Sequence, residues 1–166
     1  VVAGQSPEGS AYNDKAEGLP FYQGKKDFTE RYLAPPSTWT RSVTKRALPD
    51  DILMSVRAPV GPINVAKQEV CIGRGLAAIR AKAEIDQNFL WYALLWLQPT
   101  IVGNAGAVFP SINKKQIEAL PLPLPPLEEQ MRIVAVLDKA FAALDRAHAL
   151  AEANLADALA IYHSSL

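Results

Sequence analysis

From Leu127 to Tyr162 the chain runs 36 residues without a glycine or a proline, and no other stretch restricts the fold as much. Just before it, Leu120-Pro121-Leu122-Pro123-Leu124-Pro125-Pro126 alternates prolines, which remove backbone donors and forbid helix, so this segment is expected to be extended. Glu128 and Glu129 then stand where carboxylates favour a helix N-terminus. Val134, Leu137, Phe141, Leu144, His148, Ala151, Leu155, Ala158 and Tyr162 follow at alternating steps of three and four, the spacing of a heptad seam. Such a helix is about 50 Å long. The preceding residues can build a domain only about 35 Å across, too small to cover the whole seam. The distal seam, Leu137 through Tyr162, is therefore expected to pack on another helix. His148 reads there as a polar residue that sets register rather than as a ligand or a base. His163, the other histidine, also falls on this arm.

Residues 1–126 have a different grammar. Gly4-Gln5-Ser6-Pro7-Glu8-Gly9 is turn chemistry, and Leu19 to Tyr22 is a short apolar run between Gly18 and Gly24. Asp50-Asp51, read as a solvated turn, leads into a buried strand over Ile52–Arg57 that ends at Ala58-Pro59. Ile63–Val65, Val70–Ile72 and Leu76–Ile79 read as further strands. Asp86 is a helix cap flanked by Ile85 and Leu90 as a staple, with Pro99 expected to stop the helix. A glycine loop is expected at 103–106, and Ser111 is expected to cap a short helix over Asn113–Ala119. The expectation is α+β: a small domain with a mixed or antiparallel sheet and short helices over 1–126, then one coiled-coil-type helical arm over 127–166.

Catalytic chemistry finds little to work with. Cys71 is the single cysteine, which excludes a disulfide framework or a cysteine-based zinc site within one chain and fits a reduced, cytoplasmic setting. Gly73-Arg74-Gly75-Leu76-Ala77-Ala78 matches the variant dinucleotide fingerprint, but no long helix follows, so a tight turn between strands is the better reading. No phosphate loop, metal-binding His pair or nucleophile elbow occurs. The expectation is a non-enzyme without cofactor or metal. No apolar run reaches the length of a membrane-spanning helix, and no leader is visible.

Net charge is zero, but it is unevenly spread. Residues 1–126 carry 14 Lys/Arg against 11 Asp/Glu, and residues 127–166 carry 3 against 6. A basic body on an acidic arm can meet phosphates with the body alone. Lys25, Lys26, Arg41, Lys45, Arg46, Lys114 and Lys115 fall mostly in expected turns and are the candidate phosphate contacts. Arg31, Tyr22, Tyr32, Trp39, Gln23 and Thr40 are interleaved among the early ones. Arg57 and Arg74 leave strands into turns; each is a candidate for reading a guanine edge or for satisfying local carbonyls.

Specific strings then come together. Gly4-Gln5-Ser6-Pro7 with Tyr12-Asn13 and Gly18-Leu19-Pro20-Phe21 resembles the opening of a recognition domain in type I restriction–modification specificity subunits. Leu48–Gly61 resembles that family's central strand and turn, and Cys71–Leu76 its next glycine-containing strand. Asp86 with Phe89-Leu90-Trp91-Tyr92 resembles its helix. The junction from Ile117 to Val134, with Pro125-Pro126-Leu127-Glu128-Glu129-Gln130 opening a long helix, is the most specific of these.

The resemblance implies one target-recognition domain plus one arm, half of a full-length member. The opening Val1-Val2-Ala3 lacks the lead-in strand, and either a naturally half-sized subunit or a cut piece is expected. It also implies double-stranded DNA as ligand, a partner subunit that methylates adenine, and, indirectly, a restriction and translocation subunit. A second copy or second half is implied through the arm. The chain itself has no methyltransferase tetrapeptide, since Ala34-Pro35-Pro36-Ser37 does not match one. Two rival readings stay open: a scaffold domain without DNA affinity, and a fragment of the recognition region of an adenine methyltransferase.

Overall fold

The computed structural model describes residues 1–102 and 111–164, with side chains at all of these except 102 and 161–164. The expected glycine loop at 103–106 and the side chains of Tyr162 and His163 lie outside what is described. The chain divides into two units, Val1–Leu124 and Pro125–Leu166.

In the first unit the strands are β1 (Val2–Ala3), β2 (Tyr12–Asn13), β3 (Leu19–Tyr22), β4 (Trp39–Thr40), β5 (Arg46–Ala47), β6 (Ile52–Ser55), β7 (Ile63–Val65), β8 (Val70–Ile72) and β9 (Leu76–Ile79). They form an antiparallel sheet in the order β1-β9-β6-β7 and a mixed sheet in the order β2-β4-β3-β8-β5, with β3 and β8 parallel. Two helices follow, α1 (Gln87–Val102) and α2 (Lys114–Glu118).

Strand alternation explains how these layers hold together. Ile52 and Met54 of β6, with Ala77 and Ile79 of β9, join one apolar cluster with Leu90, Trp91, Leu94, Leu97 and Ile101 of α1. Leu53 of β6, with Leu76 and Ala78 of β9, enters a second cluster with Tyr22, Ala47, Val70 and Ile72 of the mixed sheet. β6 and β9 are thus buried on both faces, which is why they read as unbroken apolar runs rather than as alternating ones.

Four details differ from the sequence expectation. Pro99 does not end α1, which continues to Val102. Proline removes one donor in the last turn, but Ile101 beyond it is buried in the first cluster and anchors that turn. Asn113, not Ser111, caps α2: its side chain accepts from Gln116 N at 3.0 Å while Gln116 Oε1 accepts from Asn113 N at 2.9 Å. The central strand stops at Ser55, and Arg57 makes an isolated antiparallel bridge to Ser111. Asp50-Asp51 is only half a solvated turn. Asp50 is exposed with φ +68°, whereas Asp51 is 1% exposed. The Asp51 carboxylate accepts from Leu48 N at 2.8 Å and from both arms of the Arg80 guanidinium, at 2.7 and 2.8 Å.

The second unit holds α3 (Leu127–Ser164). Gln130 closes its entry by donating from Nε2 to Pro125 O at 2.8 Å. Arg132 pairs with Glu128 and Glu129 one turn back, at 3.0 and 3.3 Å. Beyond Val134 the seam opens to solvent: Leu137 is half-buried, and Phe141, Leu144, His148, Ala151 and Leu155 are exposed. His148 Nδ1 lies 3.6 Å from Glu152 Oε1, a helical pair in solvent.

Candidate nucleic-acid interface

The Gly73-Arg74-Gly75 turn joins four distant segments. Leu76 N donates to Gly73 O at 3.0 Å and closes the turn. Gly73 N and Gly75 N donate to Tyr22 O and Gln23 O, at 2.8 and 3.2 Å. Val56 N donates to Gly75 O at 2.9 Å, Ile72 N to Lys45 O at 2.9 Å, and Gln5 N to Ile72 O at 2.9 Å. Glycine is required at position 75 by its proximity to backbone. A Cβ on Gly75 would sit 2.5 Å from Gln23 O, and one on Gly73 would sit 2.5 Å from Gln23 Oε1. The string is a turn between strands, and the close approach it permits is to Gln23, to its backbone at Gly75 and to its side chain at Gly73.

This network gathers most of the nominated cations. Lys25 and Lys26 form a 3-10 turn directly after Gln23 and Gly24, Lys45 sits opposite Ile72, Arg57 follows Val56, and Arg74 is the turn itself. Ile112 N donates to Val56 O at 3.0 Å, which places Lys114 and Lys115 two and three residues beyond the same junction. Lys25, Lys26, Lys45, Arg57 and Arg74 are exposed, and none has a carboxylate partner among the described residues.

The remaining nominated residues are placed differently. Thr40 pairs with Leu19, so Arg41 lies at the opposite end of β3 from Lys25, with its guanidinium 3.0 Å from Glu17. Arg46 Nη1 is 2.6 Å from Glu69, and Lys114 Nζ is 3.6 Å from Glu118. Arg31 serves packing: its guanidinium stands 5.7 Å from both the Tyr32 and Trp91 rings and donates to Asn88 Oδ1 at 2.9 Å.

Beside the turn an open cleft of about 560 Å³ is lined by Ser6, Tyr12, Phe21, Gln23, Lys26, Thr38 and Arg74 among others. Tyr12 and Phe21 stack in its wall, 4.7 Å apart and 19° from parallel. Behind it Tyr22 donates to Ala34 O at 2.8 Å. Burial first, and the Asp27 carboxylate second, push the Tyr22 phenol up to about 12, so it remains a neutral donor. Ser6 had no signal in the sequence beyond its turn setting. Gln23 was visible only as a polar residue among basic ones. The two glycines 50 residues on, requiring close approach, were the available hint.

Among the described residues no three His, Cys, Asp or Glu side chains come together to hold a metal, and no helix is long and apolar enough to cross a membrane.

Comparison with known proteins is consistent along the chain. Residues 40–154 match the family model for the type I restriction modification DNA specificity domain. The putative type I restriction enzyme MjaX specificity subunit of Methanocaldococcus jannaschii is 47% identical over 80% of this chain and 32% of its own length. The MjaIX specificity subunit of the same organism is 26% identical over 69% of this chain and 26% of its own length. The chain thus spans about a third or less of the curated relatives it matches. A chain in a solved structure of a type I R-M system superposes with TM-score 0.83 at 47% identity, over 93% of this chain and 39% of that one. The HsdS subunit of Thermoanaerobacter tengcongensis gives TM-score 0.78 at 46% identity, over 88% and 36%. The S subunit of M. genitalium shares the fold, with TM-score 0.54 at 19% identity over 87% and 37%.

Proposed function

This chain belongs to the type I restriction–modification DNA-specificity family, and from that premise we propose that its first unit reads one half-site of a bipartite DNA target. The observation that carries the reading is the gathering of Lys25, Lys26, Lys45, Arg57 and Arg74 around one backbone junction, without acidic partners among the described residues. Cations on rigid turns next to a polar cleft suit phosphate positioning beside base-edge contact. Arg41 and Arg46, neutralised by Glu17 and Glu69, contribute least to this proposal.

The arm supplies the spacing. Its exposed seam pairs with a second arm, from another copy or from the other half of a longer subunit, and sets the distance between half-sites. Pairing of two copies about a two-fold axis makes the target a palindrome. Val136 and Leu150, two heptads apart on one face of α3, are exposed off the seam, at 66% and 65%. They support docking of the adenine-methylating subunit on the arm as well as on the domain, with the adenine flipped into that subunit's own pocket. The restriction subunit joins indirectly. This chain positions the reaction and performs no chemistry.

The scaffold reading rests on the zero net charge. A salt-dependent mobility shift with the methyltransferase subunit present separates the two. Replacing Lys25 and Lys26 by Ala is expected to weaken binding to all duplexes alike and to lower the salt slope by about 1 to 2. An unchanged slope removes this pair from the interface.

A further inference from the structure

We infer that Gln23 is a base-reading residue and that Ser6 is the residue that positions it; this rests on the DNA-reading function proposed above. Three observations carry it. First, Ser6 Oγ accepts from the Arg74 backbone N–H at 3.3 Å and lies 2.8 Å from Gln23 Oε1. The hydroxyl donates its one proton to the Gln23 carbonyl oxygen while its own oxygen takes the Arg74 N–H. The carboxamide is thereby fixed with its Nε2 donors turned to other partners, and they have none among the described residues.

Second, the backbone beneath it is held. Gln23 O accepts from Gly75 N at 3.2 Å, and the glycine is there because any Cβ would collide with that same oxygen. Third, Gln23 lines the cleft together with Lys26 and Arg74. The two cations answer phosphate charge. A neutral amide with a fixed orientation instead discriminates by donor pattern, and two unused N–H groups match the acceptors that purines present in the major groove, N7 and, on guanine, O6.

The test is a selection from randomised duplexes, using the chain assembled with its methyltransferase subunit and comparing the wild type with variants. Gln23→Ala is expected to lose the preference at one base pair, by roughly 5- to 150-fold, and to keep the rest of the half-site. Gln23→Glu, of the same size but with acceptors only, is expected to turn that one preference away from an acceptor edge. Ser6→Ala is expected to blur the same base pair, and Ser6→Thr, which keeps the hydroxyl, to restore it. A Gln23→Ala protein whose selected motif is unchanged, or whose affinity falls equally for every sequence, overturns the inference while leaving the DNA-reading function intact. If Gln23→Ala does not fold, Gln23→Glu decides, and an unchanged motif there overturns the inference. A wild-type complex that selects no motif overturns the parent function and this inference with it.

Discussion

Replacing Phe141 and Leu144 together by glutamate is expected to abolish association through the arm while leaving the first unit folded. Phe141 is 45% exposed and Leu144 62% exposed, and both belong to the seam that runs on through His148, Ala151 and Leu155. Burying one such side chain stabilises by about 1.5–3 kcal/mol. In a pair of arms four of them are lost, and charge replaces them at the contact, so binding should weaken by at least about a thousand-fold. The substitutions lie in the second unit, whereas both apolar clusters are built from residues of the first, so the thermal transition of the first unit should stay in place. Sedimentation over a concentration series reads the outcome, with circular dichroism confirming that the arm is still helical. A wild-type chain that stays monomeric at every concentration would sink the pairing proposal. Small side chains at Ala151 and Ala158 predict that arms approach closely there but contribute little, so a cut fragment associates only at high concentration.

The elements that could be read from sequence are those specified locally. Apolar runs, interrupted in β7 by Asn64, marked β6 to β9, Asp86 marked the start of α1, and the absence of breakers from Leu127 to Tyr162 marked α3. Partnership between strands was not legible. β3 and β8 run parallel although about 50 residues separate them, and nothing within Leu19–Tyr22 specifies Val70–Ile72 as its neighbour. Pro99 misled because propensity argues about one turn, whereas Ile101 is held by tertiary burial.

The same division holds in the candidate interface. Residue type nominated the cations, and several do meet. Which of them are neutralised depends on Glu17 and Glu69, whose positions beside Arg41 and Arg46 arise only from strand pairing. Ser6 and Gln23 become visible once Gly73 and Gly75 are seen to press against Gln23. The interface is therefore legible in composition and illegible in selection.

Arg80→Ala is expected to destabilise the first unit as much as a core substitution does, although its side chain is 51% exposed. Exposed substitutions away from special features usually change stability by about 0.5 kcal/mol or less. Arg80 differs because its partner, Asp51, is 1% exposed and holds its charge against two guanidinium hydrogen bonds and the Leu48 N–H. Removing Arg80 leaves a buried carboxylate with one remaining donor, and breaking one side of such a pair costs about 3–5 kcal/mol. Removing Asp51 instead strands a guanidinium that water can reach, plus the Leu48 N–H, so Asp51→Ala is expected to cost less, about 2–3 kcal/mol. The double variant should recover part of the Arg80→Ala loss, because it removes the unpaired charge itself. At roughly 4 °C per kcal/mol for a domain of this size, Arg80→Ala should lower the Tm by about 10–20 °C. Urea or thermal denaturation of the three variants decides it. If Arg80→Ala falls within about 0.5 kcal/mol of the wild type, or if the double variant is no better than Arg80→Ala, the pair does not hold the turn between β5 and β6 in place.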